Sequence, residues 1–259
     1  MSATHPFWVT AFLDLAADAF EPGVGFWRGV TGYGLSPLRG EHEEFATLVP
    51  PRGDDHLRVQ QLADGPTRLH LDLHVPDPGT AARAAAGLGA TESARPDGPD
   101  GYVVMASPGG FPFCFVTHPA RVPAGPADWG DGLSSAVDQV CLDVAPDGFH
   151  EEVAFWQALT GWELRAPASR EEFRRLVRPA EQSVGLLLQR LDEPRGATTA
   201  HLDVATTDRF RETARHEALG AEVVATQQWW TVLRDPVGSA YCITDRTPET
   251  RVLDEPADH

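Results

Sequence analysis

Apolar and polar positions alternate in short runs along the chain, and each such run gives way to a stretch with helical spacing. A Leu-Asp pair sits in four of the alternating runs, at 13–14, 71–72, 142–143 and 202–203, and each run leads into a helical segment. EEVAFWQALTG places Val153, Trp156, Ala158 and Leu159 on one helical face, and Gly161 can end that helix. TDRFRETARHEALGA opens on Thr207 or Asp208 as N-cap and closes on Gly220. Short alternating strands follow each helix: ELRAP, EFRRLV and VGLLLQRL, then EVVAT, WTVLRD and AYCITD. The predicted unit is βαβββ, used four times, which makes the chain an α+β protein.

The units are copies of one another. LDLAADAF…FWRGVTGY (13–33) matches LDVAPDGF…FWQALTGW (142–162), so Leu13, Trp27 and Gly32 correspond to Leu142, Trp156 and Gly161. LVPP and LVRP, VQQL and LQRL, LGA and LGA, and SPGGFPFCFVT and DPVGSAYCITD continue the match at a nearly constant offset. HLDLHVPD (70–77) likewise reappears as HLDVATTD (201–208). RVPAGPADWGDG, rich in Pro and Gly, reads as a linker. The expected organisation is a first domain over 1–120, a linker over 121–133, a second domain over 134–248 and a tail over 249–259.

LDL/LDV, AFW…LTGW, HLDL/HLDV, LGA and DPVG…YC, in that order and twice over, make the chain resemble a tandem member of the vicinal oxygen chelate superfamily. Glyoxalase I, bleomycin- and fosfomycin-resistance proteins and extradiol dioxygenases belong to that superfamily. The nearest branch is the glyoxalase-like, bleomycin-resistance-type domain. The resemblance covers nearly all of 8–118 and 136–245. It implies paired modules whose sheets curve around a cleft, used for metal-dependent chemistry or for holding a small organic ligand. It also implies that the two domains pack on one another within the chain, with a homodimer as a further option.

Charge and composition narrow the partners. The chain has 259 residues, with 21 basic against 38 acidic, a net charge of −17 that disfavours nucleic acid and anionic membranes. This charge reads first as solubility, and second as an acidic pocket for cationic small molecules. No apolar run is long enough to span a membrane, and the N-terminus does not read as a secretory signal. Three cysteines, an odd number, fit a reducing cytoplasm.

Carried over from the superfamily by strand parity, the ligand positions of the second half are Gln139, Gln189, His201 and Cys242. Those of the first half are Thr10, Gln60, His70 and Cys114. Asp72 and Asp203 share a face with His70 and His201, and Asp14 and Asp143 are their counterparts. A carboxylate beside an imidazole can act as a general base, so His201, His70, Asp203 and Asp72 are the catalytic candidates, with a structural anchor as the competing role. His74 adds a further imidazole near an exposed strand end.

The anionic oxygen ligands of the metal-using members are missing. His70 and His201 are therefore weak metal candidates, for Zn, Ni, Mn or Fe. Trp229 and Trp230 should point to opposite faces, with Trp230 a candidate cleft wall. The leading expectation is a glyoxalase-like protein that binds a small organic molecule. A metal-dependent lyase, isomerase or dioxygenase using His70 or His201 is the alternative, and a non-catalytic interaction or regulatory protein is the second alternative.

Overall fold

The computed structural model describes residues 4–96, 101–166, 170–194 and 196–249. The C-terminal tail expected over 249–259 lies outside the described residues except for Glu249. In the first half, β1 (Trp8–Leu15) leads into α1 (Phe20–Thr31), β2 (Gly34–Leu35), β3 (Phe45–Val49) and β4 (Leu57–Gln61). Then β5 (Arg68–His74) leads into α2 (Pro78–Gly87), β6 (Thr91–Ala94), β7 (Val103–Ala106) and β8 (Pro112–Val116). The two modules join edge to edge in one eight-stranded sheet, order β2-β3-β4-β1-β5-β8-β7-β6.

The second half repeats this plan. It comprises β9 (Ala127–Asp128), β10 (Ser134–Val144), α3 (Phe149–Thr160), β11 (Glu163–Arg165), β12 (Phe173–Val177) and β13 (Gly185–Arg190), followed by β14 (Thr199–Thr206), α4 (Arg209–Ala218), β15 (Glu222–Thr226), β16 (Trp230–Arg234) and β17 (Ala240–Thr244). Its sheet runs β11-β12-β13-β10-β14-β17-β16-β15. The segment read as a linker carries β9, which pairs with the start of β10.

Local chemistry sets the element ends. Asp208 caps α4 by accepting from the Arg211 N–H at 3.1 Å, and Asp77 does the same for α2 with the Thr80 N–H at 2.9 Å. Helices α1 and α3 both stop on a left-handed glycine, Gly32 and Gly161. Beneath the helices, one face of each first strand is apolar and buried: Val9, Ala11, Leu13 and Leu15 in β1, and Val140, Leu142 and Val144 in β10. The opposite faces of the same strands form the floors of the two clefts.

The halves pack on each other through their helices and turns. Glu152 of α3, fully buried, accepts from the Ser107 hydroxyl at 2.5 Å, the Gly109 N–H at 2.7 Å and the Trp156 indole at 2.9 Å. The reciprocal contact runs from the Trp27 indole N–H to Asp235 at 3.2 Å. Arg215 donates to the carbonyls of Gly29 and Val30 at the end of α1, both at 2.8 Å. None of the described helices is long and apolar enough to cross a membrane.

Candidate functional site

Residues at equivalent places on the two floors differ, and a cavity opens in the second cleft. In the first sheet Phe12 faces inward and its register partner across β4 is Arg58. The Phe12 ring stacks on His70 at 4.4 Å, meets Phe45 edge-on at 6.3 Å, and lies 5.9 Å from the Arg58 guanidinium. The second sheet has Cys141 and Leu187 at the corresponding register pair. With a thiol in place of a phenyl ring and an aliphatic chain in place of a guanidinium, a cavity of about 340 Å³ opens there. Gln139, Cys141, Gln189, His201, Asp203 and Cys242 line it, together with Trp229, Trp230, Phe173, Leu187 and four arginines.

Cross-strand pairing assembles this floor. Gln139 sits opposite Asp203 and Cys141 opposite His201 across β10 and β14, while Asp203 sits beside Cys242 across β14 and β17. The Gln139 amide donates to Asp203 Oδ2 at 2.6 Å, and the Arg246 guanidinium reaches the same oxygen at 3.4 Å. His201 Nδ1 lies 2.9 Å from Asp143 and its Nε2 3.5 Å from Asp203. Burial opposes charge on His201, and the hydrogen bond to the Asp143 carboxylate favours it, the balance raising its pKa. Each ring nitrogen faces a carboxylate. Burial pushes the Cys141 thiol up to about 12 and raises Cys242 as well, so both remain neutral.

The residues expected at the first cleft are locked together. His70 Nδ1 lies 2.8 Å from Asp14 and Nε2 3.6 Å from Asp72. Burial would lower the His70 pKa, yet hydrogen bonds to Asp14 and Asp72 prevail and raise it to about 9. His74 is buried rather than exposed at a strand end. Burial lowers its pKa to about 4, so the neutral ring donates from Nδ1 to the His118 carbonyl at 2.8 Å and accepts the Thr10 hydroxyl at 2.9 Å. Cys114 faces Asp72 across β8, its thiol pushed up by burial. Gln60 lies on β4 opposite Asp14. None of Thr10, Gln60, His70, Asp72 and Cys114 lines the open cavity.

Three groups among the described residues have metal-ligand spacing: His70, Asp72 and Cys114; Cys141, Asp143 and His201; and His201, Asp203 and Cys242. Their chemistry does not fit a Mn(II) or Fe(II) ion. Such hard ions need free carboxylates and a neutral imidazole. Here the His70 imidazole is held protonated, the His201 imidazole is engaged by a carboxylate at each nitrogen, the thiols are neutral, and Asp203 is paired with Arg246 and Gln139. A guanidinium on a would-be ligand also repels a dication. The same engagement leaves neither histidine a free lone pair for general-base work.

Several cleft residues lay beyond the sequence reading. Trp229 and Trp230 both line the cavity, against the expectation of opposite faces, because Trp229 precedes β16 and is not bound by its alternation. Asp138 occupies a β-bulge in β10, which re-aims its carboxylate to pair with Arg246. Arg246 follows β17, where no alternation remains to place it. Arg175 was legible, since buried Leu176 fixes the parity of β12.

A glyoxalase-like domain model matches residues 10–116 and 139–244. Among solved structures, the Mn(II)-bound glyoxalase from Novosphingobium aromaticivorans is 15% identical with a TM-score of 0.60, covering 93% of this chain and 82% of that one. An extradiol ring-cleaving dioxygenase from B. fuscum is 14% identical with a TM-score of 0.62, covering 99% and 76%. The 2,2',3-trihydroxybiphenyl 1,2-dioxygenase from Sphingomonas wittichii strain RW1 is 17% identical with a TM-score of 0.59, covering 94% and 90%. No curated protein matches the chain. At these identities the structural likeness carries the fold alone, whereas the domain model matches most of the chain in two consecutive copies. The chain belongs to the glyoxalase-like domain family and carries two such domains in tandem.

Proposed function

We propose that this protein binds a small organic molecule in the cleft of its second domain, without a catalytic divalent metal. The observation that carries the reading is the contrast between the clefts: Phe12 and Arg58 fill the first, while Cys141 and Leu187 leave about 340 Å³ in the second. A space of that size, walled by aromatic rings with a few ordered polar groups, suits a ligand of modest size. The donor chemistry around His201 argues against the metal-dependent alternative. The free cysteines Cys114, Cys141 and Cys242 support the reducing, cytoplasmic placement.

Two measurements test this. A fragment screen by ligand-observed NMR should yield binders to the native protein that are lost in Cys141→Phe, which puts the first domain's ring into the second cleft. Retention of every binder in that variant would place binding elsewhere and sink the proposal. Elemental analysis of untagged protein, before and after exposure to Zn(II), Ni(II), Mn(II) or Fe(II), should show no stoichiometric ion. An ion bound one per chain and lost in His201→Ala would restore the metal-dependent alternative.

A further inference from the structure

The second cleft gathers arginines in a chain that is acidic overall. Against a net charge of −17, the charged residues lining the cavity, among those described, are Arg165, Arg170, Arg175 and Arg246, with Asp203 and His201 on the floor. This overturns the reading of an acidic pocket for cations. Asp203 is engaged by the Gln139 amide, Arg246 and His201, and by the same pairing Arg246, held by Asp138 and Asp203, and Arg165, held by Glu163, add little uncompensated positive charge. Arg246 is only 4% exposed, and its Nε has no hydrogen-bond partner although Asp138 and Asp203 hold the two terminal nitrogens.

The first domain serves as an internal control. Aligned by strand register and turn, it has Ser36, Thr47 and His118 where the second has Arg165, Arg175 and Arg246. These three arginines are thus absent from the first domain, whose own cleft arginine is Arg58, while Arg170 has a counterpart there in Arg39, so the fold does not require the three. Beside them stands an aromatic wall. Trp230 meets Phe173 edge-on at 5.9 Å, and the Arg170 guanidinium lies 4.9 Å over the Trp230 ring.

We infer that the second cleft selects a small organic anion, its flat aromatic or conjugated body against Trp230 and Phe173 and its oxyanion turned to Arg175. This deepens the proposed small-molecule binding and rests on it. Guanidinium forks match planar oxyanions, and low-dielectric walls strengthen that attraction. Carboxylate and phosphate share this chemistry, and the test separates them.

The test uses the full chain with four probes of similar body: benzoate, phenyl phosphate, benzamide and benzylamine. Binding is followed by tryptophan fluorescence and ligand-observed NMR. One of the two anions should bind at least about tenfold more tightly than benzamide, with the margin shrinking as salt is raised. The better anion names the oxyanion. Arg175→Met should lose that margin. Benzamide or benzylamine binding as well as the anions would overturn the inference yet leave the cleft reading intact. Failure of all four probes would count against both. An anion preference that survives in Arg175→Met would also overturn it.

Discussion

Phe12 shows how much one side chain decides when it stands at the centre of a sheet. Its ring lies between the His70 imidazole and the Arg58 guanidinium, so an aromatic face meets cations on a floor that would otherwise be polar. The charge on His70 is part of that arrangement and has a consequence for stability. Its folded pKa, about 9, lies above the ordinary value of 6.5. The protonated ring therefore stabilises the fold fully below about pH 6.5, and the contribution fades as pH rises through about 9. The shift corresponds to at most about 3 kcal/mol. His70→Gln should cost more stability at pH 6 than at pH 10 in urea unfolding, and an equal loss at both would refute the ion-pair account. His201 moves in the same direction, so the comparison must be between native protein and variant at each pH. The Leu-Asp repeats already made the histidine–aspartate pairs visible in the sequence. Their state was not visible, because it depends on a buried partner from the neighbouring strand.

Among the elements, helix ends were the most legible features, since their signals are local. Gly161 follows α3 with φ of 68°, a conformation that costs little only for glycine. A Cβ there would come within 2.5 Å of the His5 ring. Gly161→Ala should destabilise the protein by about 1 to 2 kcal/mol in chemical unfolding. A change below about 0.5 kcal/mol would mean that the turn relaxes freely. Asp208, one of two N-cap candidates for α4, is the residue whose carboxylate reaches the helix. The bulge in β10 was harder to foresee. One extra residue breaks the two-residue period, and no local signal distinguishes Asp138 from its neighbours. The tryptophan pair failed for the related reason that parity holds only inside a strand.

At the scale of the whole molecule, the two halves are joined by an acid that has changed sides. On one side Asp235, in the turn before β17, accepts from Trp27 of the opposite domain. On the other, the equivalent turn offers Ser107 and Gly109 as donors, and the acid comes from the helix as Glu152. Glu152→Ala would strand the buried indole of Trp156 together with those donors. A loss of about 3 kcal/mol or more is expected from melting curves, with loosened contact between the domains. Hydrogen exchange should then report deprotection on both sides of the contact, around 107–110 and 152–156. Deprotection confined to α3 would show that Glu152 serves its own helix rather than the interface.

The sequence by itself determined the repeated βαβββ plan, the strand faces that look into the clefts and the family resemblance, because periodicity, caps and internal repeats are written within short windows. Only the tertiary structure decided which cleft is open and what charge it carries. Openness depends on Phe12 meeting Arg58 across one strand pair and Cys141 meeting Leu187 across the other. The arginine-lined wall gathers side chains from β11, β12, the segment between them and the second residue after β17. A cavity is the sum of side chains distant in sequence, and no local pattern adds them up.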